Sequence, residues 1–234
     1  MTVSGIEVAV ERKAIKHTHL SVFPPDARVH VSAPLDLSDA ALRSFLVSKL
    51  PWIRKQVAAV LAQPRQARRE YESGENVYLL GKRYRLLVRK GDEAASVRVE
   101  GKNVVLVGRG LEARTAREAR IVEWYREELK RALTRLLARC AAVAGEGGEI
   151  SFEIRRMRNL WGSCNARKRR LWFNLALARV PIRCIEYVVT HEIVHLTVPN
   201  HSLLFERKMD KLLPRWRDAR KELNDFIALP LGED

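Results

Sequence analysis

The chain has 234 residues, of which 47% are hydrophobic and 30% charged, and its 43 lysines and arginines outnumber its 28 acidic residues to give a formal net charge of +15. Such a chain can bury a core in one large or two small domains, which excludes a disordered tail. Its charge implies attraction to polyanions such as nucleic acid, nucleotides or acidic membrane, and says nothing yet about chemistry. Cys140, Cys164 and Cys184 are odd in number and widely spaced, with no CxxC pair, as expected of reduced thiols in a cytoplasmic protein. No basic stretch followed by an apolar run opens the sequence, and no segment reaches the roughly 18 apolar residues of a membrane span, so a soluble cytoplasmic chain with no membrane partner is expected.

Period-two alternation over IEVAVER, HLSVF and ARVHVSAP predicts three short strands, with PPD as the turn between the last two. Ser38 or Asp39 then caps a helix through ALRSFLVSKLPWIRKQVAAVLAQ, in which Leu42, Phe45, Leu46, Ile53, Val57 and Val60 recur at helical spacing. Pro51 is expected to kink or divide it. The polar, basic PRQARREYESGE is the expected connection. NVYLLGKRYRLLVRK, ASVRVEG and KNVVLVG predict further strands, turning near Gly81, Gly91 and Gly101.

From Thr115 to Ala144 the period changes. Ile121, Trp124, Tyr125, Leu129, Leu133, Leu136 and Leu137 form one stripe of a long amphipathic helix, read as core and ended by AGEGGE. EISFEIRRM and RRLWFNLALARV predict strands separated by a loop, NLWGSCNARK. Pro181 fits the first turn of a helix carrying PIRCIEYVVTHEIVHL. No internal repeat is visible in the sequence. The expected fold is α+β, with an N-terminal strand-rich region with helices over residues 1–112 and a C-terminal core over 113–234 that sets a helix beside a small sheet.

HEIVHLTVPNH, residues 191–201, holds three of the chain's six histidines. On a helix, His191 and His195 lie one turn apart on one face, close enough for two imidazoles to meet one zinc ion. Glu192 then stands beside the metal, where a carboxylate can act as general base. A catalytic zinc needs a third protein ligand and one open position, and His201 is the candidate. The spacing matches the metzincins except that Val198 stands where those sequences have glycine; Val198 before Pro199 is expected to be extended, and Asn200 to allow a left-handed turn. Met209 falls inside an apparent helix instead of forming a separate turn, so a true metzincin is not expected. His17, His19 and His30 have no partner spacing and are read as ordinary surface or sheet residues.

The run from Arg158 to Trp216, with WGSC, the Asn-Leu strand end, YVVTHEIVH and NHSLLF, resembles the YgjP-like metallopeptidases. The upstream strands and KLPWIRK are similar to that family's N-terminal half, so the resemblance spans nearly the whole chain. In its HExxH core the family in turn resembles the SprT-like zinc peptidases. The resemblance implies a zincin-like core with Zn2+ on His191, His195 and His201, and Glu192 as the catalytic residue of a peptidase. By comparison with zinc peptidases, LWFNLALA would lie along the substrate cleft, with Asn174 on the substrate side. Trp161 is expected as a cleft wall or as core, and Ser163 or Cys164 near the substrate, with Cys164 alternatively reaching the metal. Tyr187 is read as packing or as an oxyanion donor, and Asp210, Glu206 and Glu186 are open candidates to orient a ligand histidine.

Arg155, Arg156, Arg158, Arg167, Lys168, Arg169 and Arg170 cluster near the expected cleft. They form a solvated face, hold nucleic acid that brings protein substrates close, or hold phosphates directly. The last reading makes the chain a metal-dependent nucleoside triphosphate pyrophosphatase, an activity also attached to members of the family. A third reading, a nucleic-acid-associated module with structural zinc, is disfavoured by Glu192, since a structural site needs four ligands and no base.

Overall fold

The computed structural model describes residues 1–23, 26–62, 69–157 and 160–225. Ser4 and Gly5 both adopt left-handed backbone, φ 48° and 80°, the combination a two-residue hairpin turn needs. Thr2–Val3 (β1) therefore folds back on Ile6–Lys13 (β2). His19–Phe23 (β3) and Arg28–Pro34 (β4) complete a sheet of order β1-β2-β4-β3, in which β4 is parallel to β2 and antiparallel to β3. Pro24 and Pro25 of the expected turn lie outside the described residues.

Ser38 caps Asp39–Ser48 (α1), its hydroxyl accepting from the Ala41 N–H at 3.2 Å. Leu50–Ala62 (α2) follows. The expected single helix is divided at Lys49, which leaves Pro51 in a first turn, where its missing N–H costs nothing. Leu42, Leu46 and Ile53 are buried with Val8, Val29 and Val31 in one apolar cluster. These elements make one compact unit, Met1–Ala67.

The second unit, Arg68–Asp234, begins with Asn76–Leu79 (β5), Lys82–Lys90 (β6), Ser96–Glu100 (β7) and Asn103–Gly108 (β8). Their order, β5-β6-β8-β7, and their antiparallel, parallel, antiparallel pairing repeat those of the first sheet. Even the first turn recurs, Leu80 and Gly81 having φ 48° and 82°. What repeats is turn geometry and alternation, which many sequences satisfy, so no sequence repeat betrays it. Residues 63–68 of the expected connection lie outside the described residues.

Arg114–Ala144 (α3) lays Ile121, Trp124, Leu129 and Leu133 into one core with Leu86, Val104 and Leu106, and stops at Gly145 in the left-handed conformation. This shared core is why the compact units part at 67/68, earlier than the division at 112/113 expected from the sequence. Ser151–Arg155 (β9), Gly162–Asn165 (β10) and Arg170–Asn174 (β11) form a third sheet of order β10-β11-β9. WGSC, expected as loop, is thus partly strand: the four residues of β10, Gly162–Asn165, are too few and too polar to show a period. The strand through LWFN stops early because the Asn174 side chain accepts from the Ala176 N–H at 3.0 Å and caps a 3-10 turn, Leu175–Arg179.

Ile182–Val194 (α4), Leu203–Leu212 (α5) and Trp216–Asp225 (α6) close the fold. The β5–β6 turn braces the entry to α4: Leu80 and Gly81 donate to the carbonyls of Ala178 and Arg179 at 2.8 and 3.1 Å. A Cβ on Gly81 would stand 2.8 Å from Pro181, so only glycine allows this approach. With six α-helices and three small sheets among the described residues the fold is α+β. None of the described helices is long and apolar enough to cross a membrane.

Candidate metal centre

His191 and Glu192 lie in the last turn of α4, and His195 is its C-cap. His201 returns from the following turn. The three Nε2 atoms converge, at 3.1 Å between His191 and His195, 3.2 Å between His195 and His201, and 3.0 Å between His201 and His191. Nitrogens at about 2.0–2.1 Å from a tetrahedral zinc stand about 3.3 Å apart. The three imidazoles therefore fit one ion without rearrangement.

The chain reaches His201 by its own route. Thr197 and Val198 both donate to the carbonyl of Val194, at 3.1 and 2.9 Å. No residue from 195 to 201 is left-handed, so neither the metzincin glycine nor the expected turn at Asn200 is used. Val198 is buried and its carbonyl accepts from His195 Nδ1 at 2.9 Å. That bond leaves the lone pair on Nε2, facing the other histidines. Phe205, on α5, lies under all three: its ring centroid is 4.9, 4.8 and 4.8 Å from those of His191, His195 and His201.

Burial pushes the His191 imidazole down to about 3, helped by the charges of His195, His201 and Arg220. Burial likewise lowers His195. Both are thereby kept neutral, the form that binds metal. Glu192 is only 5% exposed, and burial pushes its carboxyl up to about 8; a cation at the histidines would favour the carboxylate again.

Of the other expected residues, Trp161 is half-buried and packs at the edge of the core. Ser163 pairs with Trp172 across the sheet, while Gly162 and Cys164 pair with the buried Phe173 and Leu171. Paired residues share a face, so it is Gly162 and Cys164 that face α4. Asn174 sits on the central strand, and its amide donates to the carbonyls of Met157 and Leu160, each at 2.8 Å. Among the described residues the only group of three or more potential metal ligands is the three histidines. Cys164 is not in it, and burial, then the Glu192 charge, pushes its thiol up to about 11.

Tyr187 stacks on Trp216, with centroids 6.0 Å apart, and meets the His191 ring edge-on. Asp210 accepts from Trp216 Nε1 at 2.8 Å and pairs with Arg217; Glu206 pairs with Arg217 and Glu186 with Arg139. The group that orients one of the converging histidines, His195, is instead the Val198 carbonyl, which side-chain chemistry could not reveal. Arg155 and Arg170 pair with Glu153 and lie over the Trp172 ring, and Arg169 pairs with Glu146. Arg167 and Lys168 are exposed, and Arg158 lies outside the described residues.

No curated protein matches the chain. The crystal structure of the metallopeptidase zymogen of Pyrococcus abyssi abylysin is similar over 40% of this chain and 92% of its own, with 18% identity and a TM-score of 0.38. That of Methanocaldococcus jannaschii jannalysin, also a metallopeptidase zymogen, is similar over 41% and 96%, with 15% identity and a TM-score of 0.37. The model of the YgjP-like metallopeptidase domain matches residues 17–226. That match takes in part of both compact units and all three converging histidines, and the chain belongs to the YgjP-like metallopeptidase family.

Proposed function

We propose that the chain is a cytoplasmic zinc peptidase, with His191, His195 and His201 as ligands and Glu192 as general base. The observation that carries this reading is the convergence of three imidazoles immediately beside a buried carboxyl. Three nitrogen donors suit zinc better than a hard cation such as Mg2+ or Ca2+. A zinc ion held there would acidify water and polarise a peptide carbonyl. Glu192 then takes a proton from the attacking water and returns it to the leaving amine.

The substrate is an extended peptide. β11 has neighbours on both sides, whereas β10 has one among the described residues, and its other edge offers unpaired backbone for an added strand. Trp161 then stands at the rim and Ser163 contributes on the substrate side through the backbone of β10. Asn174 serves that side by holding the segment that leads into β10.

Nucleoside triphosphate cleavage at the same metal is the second reading, resting on the basic cluster. It would require Arg155, Arg169 and Arg170 to leave their carboxylates, and nucleic-acid binding would draw on the same charges. The test is mass spectrometry of a peptide pool and nucleoside triphosphates after incubation with zinc-loaded wild type and Glu192→Gln, with and without DNA. New peptide termini from wild type only are expected; monophosphate and pyrophosphate without peptide cleavage would replace the peptidase reading by the second one.

A further inference from the structure

We infer that Gly162 is a positioning residue for Glu192: the space left by its missing side chain is the seat of the Glu192 carboxylate. The inference rests on the reading of Glu192 as the base. A Cβ built on Gly162 would stand 2.6 Å from Glu192 Oε1, 2.8 Å from its Cγ and 2.9 Å from its Cδ. Ordinary carbon contacts begin near 3.5 Å, so an alanine here and the observed Glu192 rotamer are incompatible.

Neither partner can retreat freely. Gly162 pairs with Phe173, which is fully buried, and the neighbouring Trp161 carbonyl accepts from the Asn174 N–H at 2.9 Å. Glu192 is anchored on α4, next to the fully buried Ile193. The glycine is not there for its backbone either, because Gly162 is not among the glycines of positive φ. Glycine weakens a strand and commonly marks a site of close approach; here the approaching group is the carboxylate itself. A Cβ would tilt the side chain away from β10, and the proton acceptor would leave the place from which it reaches the attacking water.

The first test needs no substrate. A crystal structure of zinc-loaded Gly162→Ala should show all three histidines in place and the Glu192 carboxylate displaced from β10. The second is kinetic: kcat should fall on the order of 100-fold, the loss typical of a misplacement of about 1 Å, with KM and bound zinc little changed. In a Glu192→Asp background, where the side chain is one methylene shorter, Gly162→Ala should cost far less. A purely structural glycine would cost the same in both backgrounds and lower the melting temperature with kcat. Glu192 found unmoved, kcat at the wild-type level, or equal losses in both backgrounds would each overturn the proposal. A fully active Glu192→Gln enzyme would instead sink the base assignment, while the crystal structure would still decide whether Gly162 seats the side chain.

Discussion

His195 donates its Nδ1 proton to the carbonyl of Val198, 2.9 Å away and three residues further along the chain. The residue that receives the bond thus belongs to the turn that delivers His201, so one hydrogen bond ties the second proposed ligand to the path of the third. The buried Val198 side chain holds that turn against the core. Val198→Gly, which installs the metzincin residue, should therefore weaken this site. A stability loss of about 1–3 kcal/mol is expected from the lost side chain, and zinc affinity should drop on the order of tenfold as the orienting carbonyl loosens. Zinc competition against a chromophoric chelator checks this, and an unchanged affinity would mean that the turn holds itself.

Phe205 offers a second handle on the same site, because its ring touches all three imidazoles without carrying a donor atom. Truncation to alanine would cost about 3–5 kcal/mol of stability and confuse unfolding with loss of metal. Phe205→Leu keeps most of the volume and loses the flat face. It should leave a folded protein whose zinc dissociation constant rises about 10- to 100-fold, the range seen when groups behind metal ligands are altered. Wild-type zinc affinity in a folded Phe205→Leu protein would show that the ring is filler.

The parts of this site that were legible in the sequence are those set by local rules. Two histidines four residues apart share a helix face wherever the helix is placed, and His201 follows within the same short run. Ser38, Pro51 and Gly145 mark helix boundaries through chemistry confined to one turn. Gly162, Phe205 and the Val198 carbonyl matter only through what another element brings against them. Their signals were the glycine of WGSC, the phenylalanine that ends NHSLLF, and a valine in place of a glycine, none of which says what the residue will touch. Partner choice among strands was hidden for the same reason: alternation marks β5 to β8 as strands, and only the packing of Leu86, Val104 and Leu106 with α3 assigns them to the second unit.

The buried histidine gives the metal-free protein a pH-dependent stability. The His191 imidazole sits near 3 in the folded chain against an ordinary 6.5, so unfolding takes up a proton anywhere between those values. Its contribution to stability is complete above about 6.5 and is lost progressively as the pH falls towards 3. Between about 6.5 and 4.5 that loss is offset by Glu192, whose buried carboxyl near 8 keeps a proton that the unfolded chain releases. Urea midpoints of zinc-free protein should therefore fall mainly below about 4.5, and His191→Gln should flatten that fall. A variant that follows wild type over the whole range would show that His191 is not the group responsible.

Asn174 separates a substrate contact from a scaffold role most sharply. Its side chain makes three hydrogen bonds, two from its amide to Met157 and Leu160 and one accepted from Ala176. All three hold the chain to itself, on the segment leading into β10 and on the turn leading towards α4. Asn174→Ala leaves two carbonyls and one N–H without that partner, and a loss of about 1–3 kcal/mol is expected for each such group that stays buried. A residue that binds peptide directly would instead raise KM while the melting temperature held. Asn174→Ala should therefore lower the melting temperature clearly and disturb KM and kcat together, because β10 carries both the proposed peptide edge and the Gly162 seat. A raised KM at unchanged melting temperature and kcat would return Asn174 to the substrate.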